Sequence, residues 1–327
     1  MTSPLFKFTQ HLIKNTNLFW QYPVITEKTV FLQQKNNPKY FGIPWATIID
    51  KKFNLATLIP QFRTILRGKK NCSTTCQHIH FRKIIPLCKM LGIGTIYSPH
   101  KVKGEEFING IRIKPCPLYA VNYEDLSKNK EFREINNTVG KEKDRPKDFY
   151  ILDRKYHYSF MGGYQPKHYM SNIRANIFKH GQKNKSNNVI FIKNTGEWHF
   201  NPIVYRKQVT GVDLTNKEKK MQNIKTSIYN NILLNSRFSL CPSGSGPNSI
   251  RFWESLACGS IPILLSDRLE LPYHPLWKDA IVRCHERDLD NLDIILGEIT
   301  AEQEDEMRQN CLTIYNDFRN DFLRDFS

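Results

Sequence analysis

The 327-residue chain has no apolar run approaching the roughly twenty residues that a bilayer-spanning helix needs. Its N-terminus, MTSPLFKFTQHLIKNTNLFW, lacks a basic start followed by an unbroken apolar stretch, so neither a membrane span nor a cleaved signal is expected. No Lys-Ser/Thr follows its glycines, the full G-x-G-x-x-G spacing is missing, and there is no H-E-x-x-H, which disfavours nucleoside triphosphate hydrolysis and zinc hydrolase chemistry. Helix–turn–helix, RNA-recognition and zinc-finger patterns are absent as well. Eight cysteines lie scattered, several inside apolar segments, as reduced thiols packed in a cytoplasmic protein would. Cys72, Cys76, His78 and His80 form C-x3-C-x-H-x-H, but four zinc ligands within nine residues would demand a very tight turn, and buried thiols explain them better.

What is present is positive charge, unevenly spread. The net +17 divides into +14 for residues 1–148, with 25 Lys+Arg against 11 Asp+Glu, and +3 for the remainder. Residues 286–325 hold twelve acids and four arginines. A basic field of this kind favours an anionic partner: a nucleotide, a charged glycan, a nucleic acid or an acidic membrane surface. Abundant Lys and Asn throughout, as in Lys183–Asn188, are the plainer explanation.

The polar stretch 124–148 marks the boundary between two halves of comparable length. In the first, Trp45–Ile49 reads as a buried strand, Leu55–Leu66 and His80–Leu91 as helices and Gly94–Tyr97 as a strand. The second repeats the scheme: strands at Tyr158–Met161, Val189–Ile192, Phe238–Cys241 and Ile261–Leu265, with helices near Tyr169–Lys179, Lys219–Leu234 and from Asn248. Short buried strands separated by helices indicate parallel sheets of βαβ units, hence an α/β chain of two Rossmann-like domains facing a central cleft. The expected domains are 1–148 and 149–300, with 301–327 as a helix crossing back to the first. Ligands of such sheets collect beyond the carboxyl ends of the strands.

Residues 237–267, RFSLCPSGSGPNSIRFWESLACGSIPILLSD, carry the most information. A strand runs into a Pro/Ser/Gly turn and then a helix N-capped at Asn248 or Ser249 and closed by Gly259. Unpaired amides and the macrodipole at such a helix start favour an anion, so Ser243, Gly244, Ser245, Asn248 and Ser249 are candidate phosphate contacts. Arg251, in the first turn, could add a bidentate phosphate contact. Glu254, three residues on, could accept from a ribose or sugar hydroxyl pair, although the two could also form an i,i+3 surface pair.

The run CPSG with Ser249, Arg251, Glu254, Gly259, Pro262 and Ser266-Asp267 resembles the exostosin-type glycosyltransferases. YSFMGGYQPKHYMSNIRANIF (158–178) resembles that family's strand–Gly turn–helix, adding Gly163 and Arg174 to the donor site. Fucosyltransferases of the same general fold share the Glu-containing helix followed by a motif like ACGSIPI here, so the motif leaves the donor sugar open. The resemblance is good over 156–267 and thin elsewhere.

The resemblance implies a GT-B fold, a nucleotide-sugar donor on the C-terminal domain, a glycan acceptor on the N-terminal domain, inversion at the anomeric carbon and no obligatory metal or other cofactor. UDP is the first expectation for the nucleotide and GDP the second. The acceptor could be anionic, and peripheral membrane contact stays open. Transfer also needs a base on the first half; Asp50, His78 and His100 are the candidates by position, the histidines ahead because they titrate near neutrality. Trp198, His199 and Phe200 could stack on a base or sugar ring, or be core. The competing reading is a non-catalytic basic protein that binds nucleic acid or an anionic membrane through residues 1–148, with a steep salt dependence.

Overall fold

The computed structural model describes residues 2–132, 154–184, 189–196 and 206–323. Trp198, His199 and Phe200, and residues 133–148 of the expected boundary, lie outside them.

The first half supplies helices α1 (Pro4–Asn15), α2 (Thr26–Gln33), α3 (Trp45–Asp50), α4 (Ile59–Leu66), α5 (Ile85–Met90) and α6 (Val121–Glu124). Among them lie strands β1 (Cys72–Thr75), β2 (Ile93–Ser98), β3 (Phe107–Ile108) and β4 (Ile111–Pro115). The sheet order is β1-β2-β4-β3; β2 runs parallel to β1 and β4, and β3 is an antiparallel edge. The second half supplies β5 (Tyr156–Gly162), α7 (Ile173–Lys183), β6 (Ile190–Asn194), α8 (Asn216–Leu234), β7 (Ser236–Pro242), α9 (Ile250–Cys258) and β8 (Ile261–Leu265). After these come β9 (Val282–Arg283), α10 (Leu292–Gly297) and α11 (Ala301–Asp321). Its five strands are all parallel, ordered β6-β5-β7-β8-β9. Parallel strands need crossovers, and the helices that make them bury both sheet faces, which is why Ile261–Leu265 is apolar throughout. The α/β class read from the sequence is the one formed, consistent with a GT-B-like fold.

One element was misread. Trp45–Asp50 is a helix and not a strand, despite its β-branched Thr47, Ile48 and Ile49. Pro44 stands at its N-cap, and the buried carboxyl of Glu27 accepts from the amide of Ala46 at 3.1 Å, supplying from outside the partner that the cap residue lacks. Two helices are also shorter than expected: the 55–66 helix begins at Ile59, and 80–91 divides into a 3-10 turn, Phe81–Ile84, and α5.

Two apolar clusters form, one around each sheet, but they do not divide at the middle of the chain. Phe6, Val30, Phe31, Tyr40, Leu118 and Tyr119 join the cluster of the five-stranded sheet. α11 lies across this seam: Tyr119 donates to Phe318 O (2.8 Å), Tyr315 donates to Glu124 (2.8 Å), and the Tyr97 and Phe322 rings meet edge to face. The start of the polar stretch is packed as well, since Asn230 on α8 donates to Lys128 O (2.7 Å) and Glu131 (2.9 Å). Among the described residues no helix is long and apolar enough to cross a membrane.

Candidate functional site

A cleft of about 320 Å³ opens where the carboxyl ends of β1 and β2 face those of β5 and β7. Its far wall is the turn after β7 and the start of α9. Ser249 is the N-cap of α9 without a side-chain cap bond, while Asn248 Oδ1 accepts from the Ser249 amide (2.8 Å) and the Trp253 indole (3.2 Å). At the other end Gly259 takes the left-handed conformation (φ 66°) that closes the helix. The buried guanidinium of Arg154 donates to Cys258 O, Leu233 O and Ser236 O, satisfying carbonyls where α8 and α9 end. The turn itself is tied down: Asn248 Nδ2 donates to Pro99 O (2.8 Å) and Ser266 Oγ to Pro247 O (2.7 Å). Two turn amides are already used, Ser243 N by Leu265 O and Gly244 N by Gly246 O, so four free amides along Ser243–Gly246 are not available to a ligand.

The cations are more telling. Arg251 is 7% exposed, donates through Nη2 to Met161 O, and lies over the rings of Phe160 (4.9 Å) and Tyr229 (4.8 Å). Its Nη1 has no hydrogen-bond partner. Arg174, from the first turn of α7, donates to Ser243 O (2.9 Å) and Gly163 O (3.1 Å) and stacks on Tyr169 at 4.6 Å. Burial, with the neighbouring Arg251 charge adding to it, pulls the Arg174 guanidinium down to about 10, which still leaves it charged at neutral pH. The part-buried Arg174 and the buried Arg251 repel as like charges, and a buried unpaired donor costs about 1–3 kcal/mol. An anion across both relieves both costs.

Arg251 and Glu254 do not pair with each other. Glu254, 3% exposed, accepts from Tyr229 Oη (2.6 Å) and from the Asn122 amide (3.2 Å) across the seam. Burial pushes its carboxyl up, against the opposing pull of those two bonds.

The near wall carries the three candidate bases. Asp50 Oδ1 and His78 Nε2 are 2.9 Å apart, and Asp50 Oδ2 accepts from Gln21 at 2.7 Å. His78 Nδ1 accepts from the His80 amide (2.9 Å), which makes Nε2 the protonated nitrogen. Burial works against ionisation of Asp50, but the bonds from His78 and Gln21 outweigh it and hold the carboxyl below its ordinary range. Asp50 thus sits at the end of a helix, not a strand, yet reaches the cleft. His100 is 6% exposed, and burial pulls its imidazole down to about 3, so it stays neutral. Its Nδ1 has no partner and presses on Gly246, where an added Cβ would fall 2.6 Å away.

All twelve candidates therefore stand in or directly behind this one cleft, Ser243 through the carbonyl that holds Arg174. Tyr229, Asn122, Gln77 and Glu27 were missed; they lie on segments far apart in sequence and match no local motif. Cys72 and Cys76 are buried while His78 pairs with Asp50, and among the described residues no group of His, Cys, Asp and Glu could hold a metal ion. An Asp-x-Asp triplet, Asp288-Leu289-Asp290, lies in the 3-10 turn Glu286–Asn291; its Asp290 points outward and pairs with Lys183 at 3.6 Å. Among the described residues, no Lys or Arg of the first half lines the cleft.

Comparison with known proteins points to the same region. The Exostosin GT47 domain matches residues 136–299. Over 90 residues the chain is 31% identical to the exostosin-1 homolog of Caenorhabditis elegans, covering 27% of this chain and 24% of that protein. Over 89 residues it is 37% identical to exostosin-1 of Drosophila melanogaster, covering 27% and 12%. A probable glucuronosyltransferase of Oryza sativa subsp. japonica is 33% identical over 75 residues, covering 22% and 18%. These matches span a quarter or less of each relative's length. The matched region, which holds β5, α7, β7 and α9 with Arg174, Arg251 and Glu254, is half of the chain, and the chain belongs to the Exostosin GT47 domain family.

Proposed function

We propose that this protein transfers a sugar from a nucleotide-diphosphate sugar to a glycan hydroxyl, with inversion and without a metal ion, the nucleotide being UDP, with GDP as the alternative. The observation that carries the reading is the pair of cleft guanidiniums, the part-buried Arg174 and the buried Arg251, with Arg251 Nη1 unpartnered. They and the start of α9 would hold the diphosphate and stabilise it as the bond to the anomeric carbon breaks. Because two fixed cations already offset the leaving charge, a divalent ion is not required for that step.

The acceptor hydroxyl would attack the anomeric carbon from the opposite face and lose its proton to the near wall. His78 fits that role better than His100. With Asp50 fixing Nε2–H, the lone pair of His78 is at Nδ1, and its present partner, the His80 amide, lies at the exposed edge. Asp50 would then stabilise the imidazolium as it forms. His100, neutral and with its Nδ1 walled in by Gly246 and Ile79, is a weak base and is not placed to take the proton.

The test is a thermal-shift and transfer panel of UDP-, GDP- and CMP-sugars. The proposal expects one diphosphate class to raise the melting temperature, and His78→Ala to keep that shift while transfer falls about 10²–10⁴-fold. A folded protein indifferent to every nucleotide sugar would overturn it.

A further inference from the structure

Glu27 lies outside the sequence motifs and is 2% exposed on α2. Its Oε1 accepts from two amides, Ala46 N and Gln77 N, each at 3.1 Å. Ala46 stands in the first turn of α3, which ends at Asp50, and Gln77 is the residue before His78. The Gln77 side chain returns the contact: its Oε1 accepts from the Glu27 amide (2.9 Å) and its Nε2 donates to Val24 O (2.9 Å). Asp50 and His78 come from different elements, and one carboxyl oxygen holds the backbone behind each.

We propose that Glu27 is a positioning residue for the Asp50–His78 pair, setting the approach of α3 to the end of β1 and thereby supporting, with the His80 amide, the His78 tautomer that carries its proton on Nε2 and its lone pair on Nδ1. The inference rests on the transferase reading for its catalytic consequence, but not for its geometry. Among the described residues, the hydrogen bonds of Glu27 go to Ala46 and Gln77 and not to Arg174 or Arg251, so its loss should separate chemistry from donor binding.

The experiment compares Glu27→Leu and Glu27→Gln. Glutamine keeps an oxygen at the Oε1 position and can still accept from both amides; leucine cannot. In Glu27→Leu, kcat should fall about 10–100-fold, as expected for a reacting pair displaced by a fraction of an ångström. The Kd for the bare nucleotide diphosphate should stay within about threefold, and Glu27→Gln should return kcat to within about fivefold of wild type. Ring ¹⁵N spectra of His78 should show the Nε2–H tautomer in wild type and Glu27→Gln and a tautomer mixture in Glu27→Leu. If Glu27→Leu does not fold, Glu27→Asp, which withdraws the oxygen by one methylene, is read the same way. Unchanged kcat and unchanged His78 spectra in the folded variant would overturn the inference, as would loss of nucleotide affinity in step with kcat. A wild type that transfers nothing, with His78 still responding to residue 27, would leave the positioning role standing and remove the transferase reading.

Discussion

The phenol of Tyr229 on α8 lies 2.6 Å from Oε2 of Glu254 on α9, while its ring faces the Arg251 guanidinium at 4.8 Å. One side chain thus orders both the acid and the cation of the cleft's far wall. Tyr229→Phe keeps the ring and removes the bond, and should cost about 1–3 kcal/mol in denaturant unfolding because a buried carboxyl loses a partner. The removed bond lowers the Glu254 pKa, so in the variant the group titrates still higher. A raised folded-state pKa gives stability at low pH that is lost as pH rises, so the deficit should be larger at pH 8 than at pH 5.

Gly246 is required by contact. A methyl there would fall 2.6 Å from His100 Nδ1 and 3.0 Å from Ile79 Cγ2, both on the opposite wall. Gly246→Ala should lower stability by about 1–3 kcal/mol and weaken nucleotide binding together, as the turn is pushed off the first half. Thermal unfolding and calorimetric titration on one sample check both effects.

α11 holds the seam through Glu124, which accepts from Tyr315 Oη and pairs with Arg319 at 2.8 Å. Glu124→Ala leaves the buried Tyr315 hydroxyl without that acceptor and should cost about 1–3 kcal/mol. Arg319→Ala should cost less than about 1 kcal/mol, because its side chain is half exposed and the pair is screened. Equal losses in the two variants would contradict this division.

Burial pushes the Glu27 carboxyl up to about 8, despite the bonds from Gln77 and Ala46 that oppose it. Folding then holds a proton that the unfolded chain has released, so stability falls as pH rises from the ordinary carboxyl range through about 8. Glu27→Gln should flatten that slope and match wild type near pH 4, measured by urea unfolding across the range.

The sequence made the C-terminal sheet and its turn legible because their signals are local. Phe238–Cys241 and Ile261–Leu265 are buried on both faces, Gly259 ends α9, and Arg251 follows the turn at fixed spacing. What it hid is what is settled by distant partners. Trp45–Asp50 looked like a strand because Thr47, Ile48 and Ile49 favour one, and the carboxyl that turns it into a helix start sits nineteen residues earlier. His78 and His100 looked alike as lone histidines after strands. Only packing makes one the partner of Asp50 and buries the other against Gly246. For Glu254, the acid was readable, but its partners, Tyr229 and the Asn122 amide, were not.

The most direct measurement is calorimetric titration of UDP and UMP, with EDTA present, into wild type, Arg251→Met and Arg174→Met. The account predicts that wild type binds the diphosphate without any cation and at least tenfold more tightly than the monophosphate. Each methionine variant should fold and lose about ten- to a hundredfold in UDP affinity, the worth of a charge-assisted bond to a cleft guanidinium. Binding that vanishes in EDTA, or an Arg251→Met protein that holds UDP as wild type does, would contradict it.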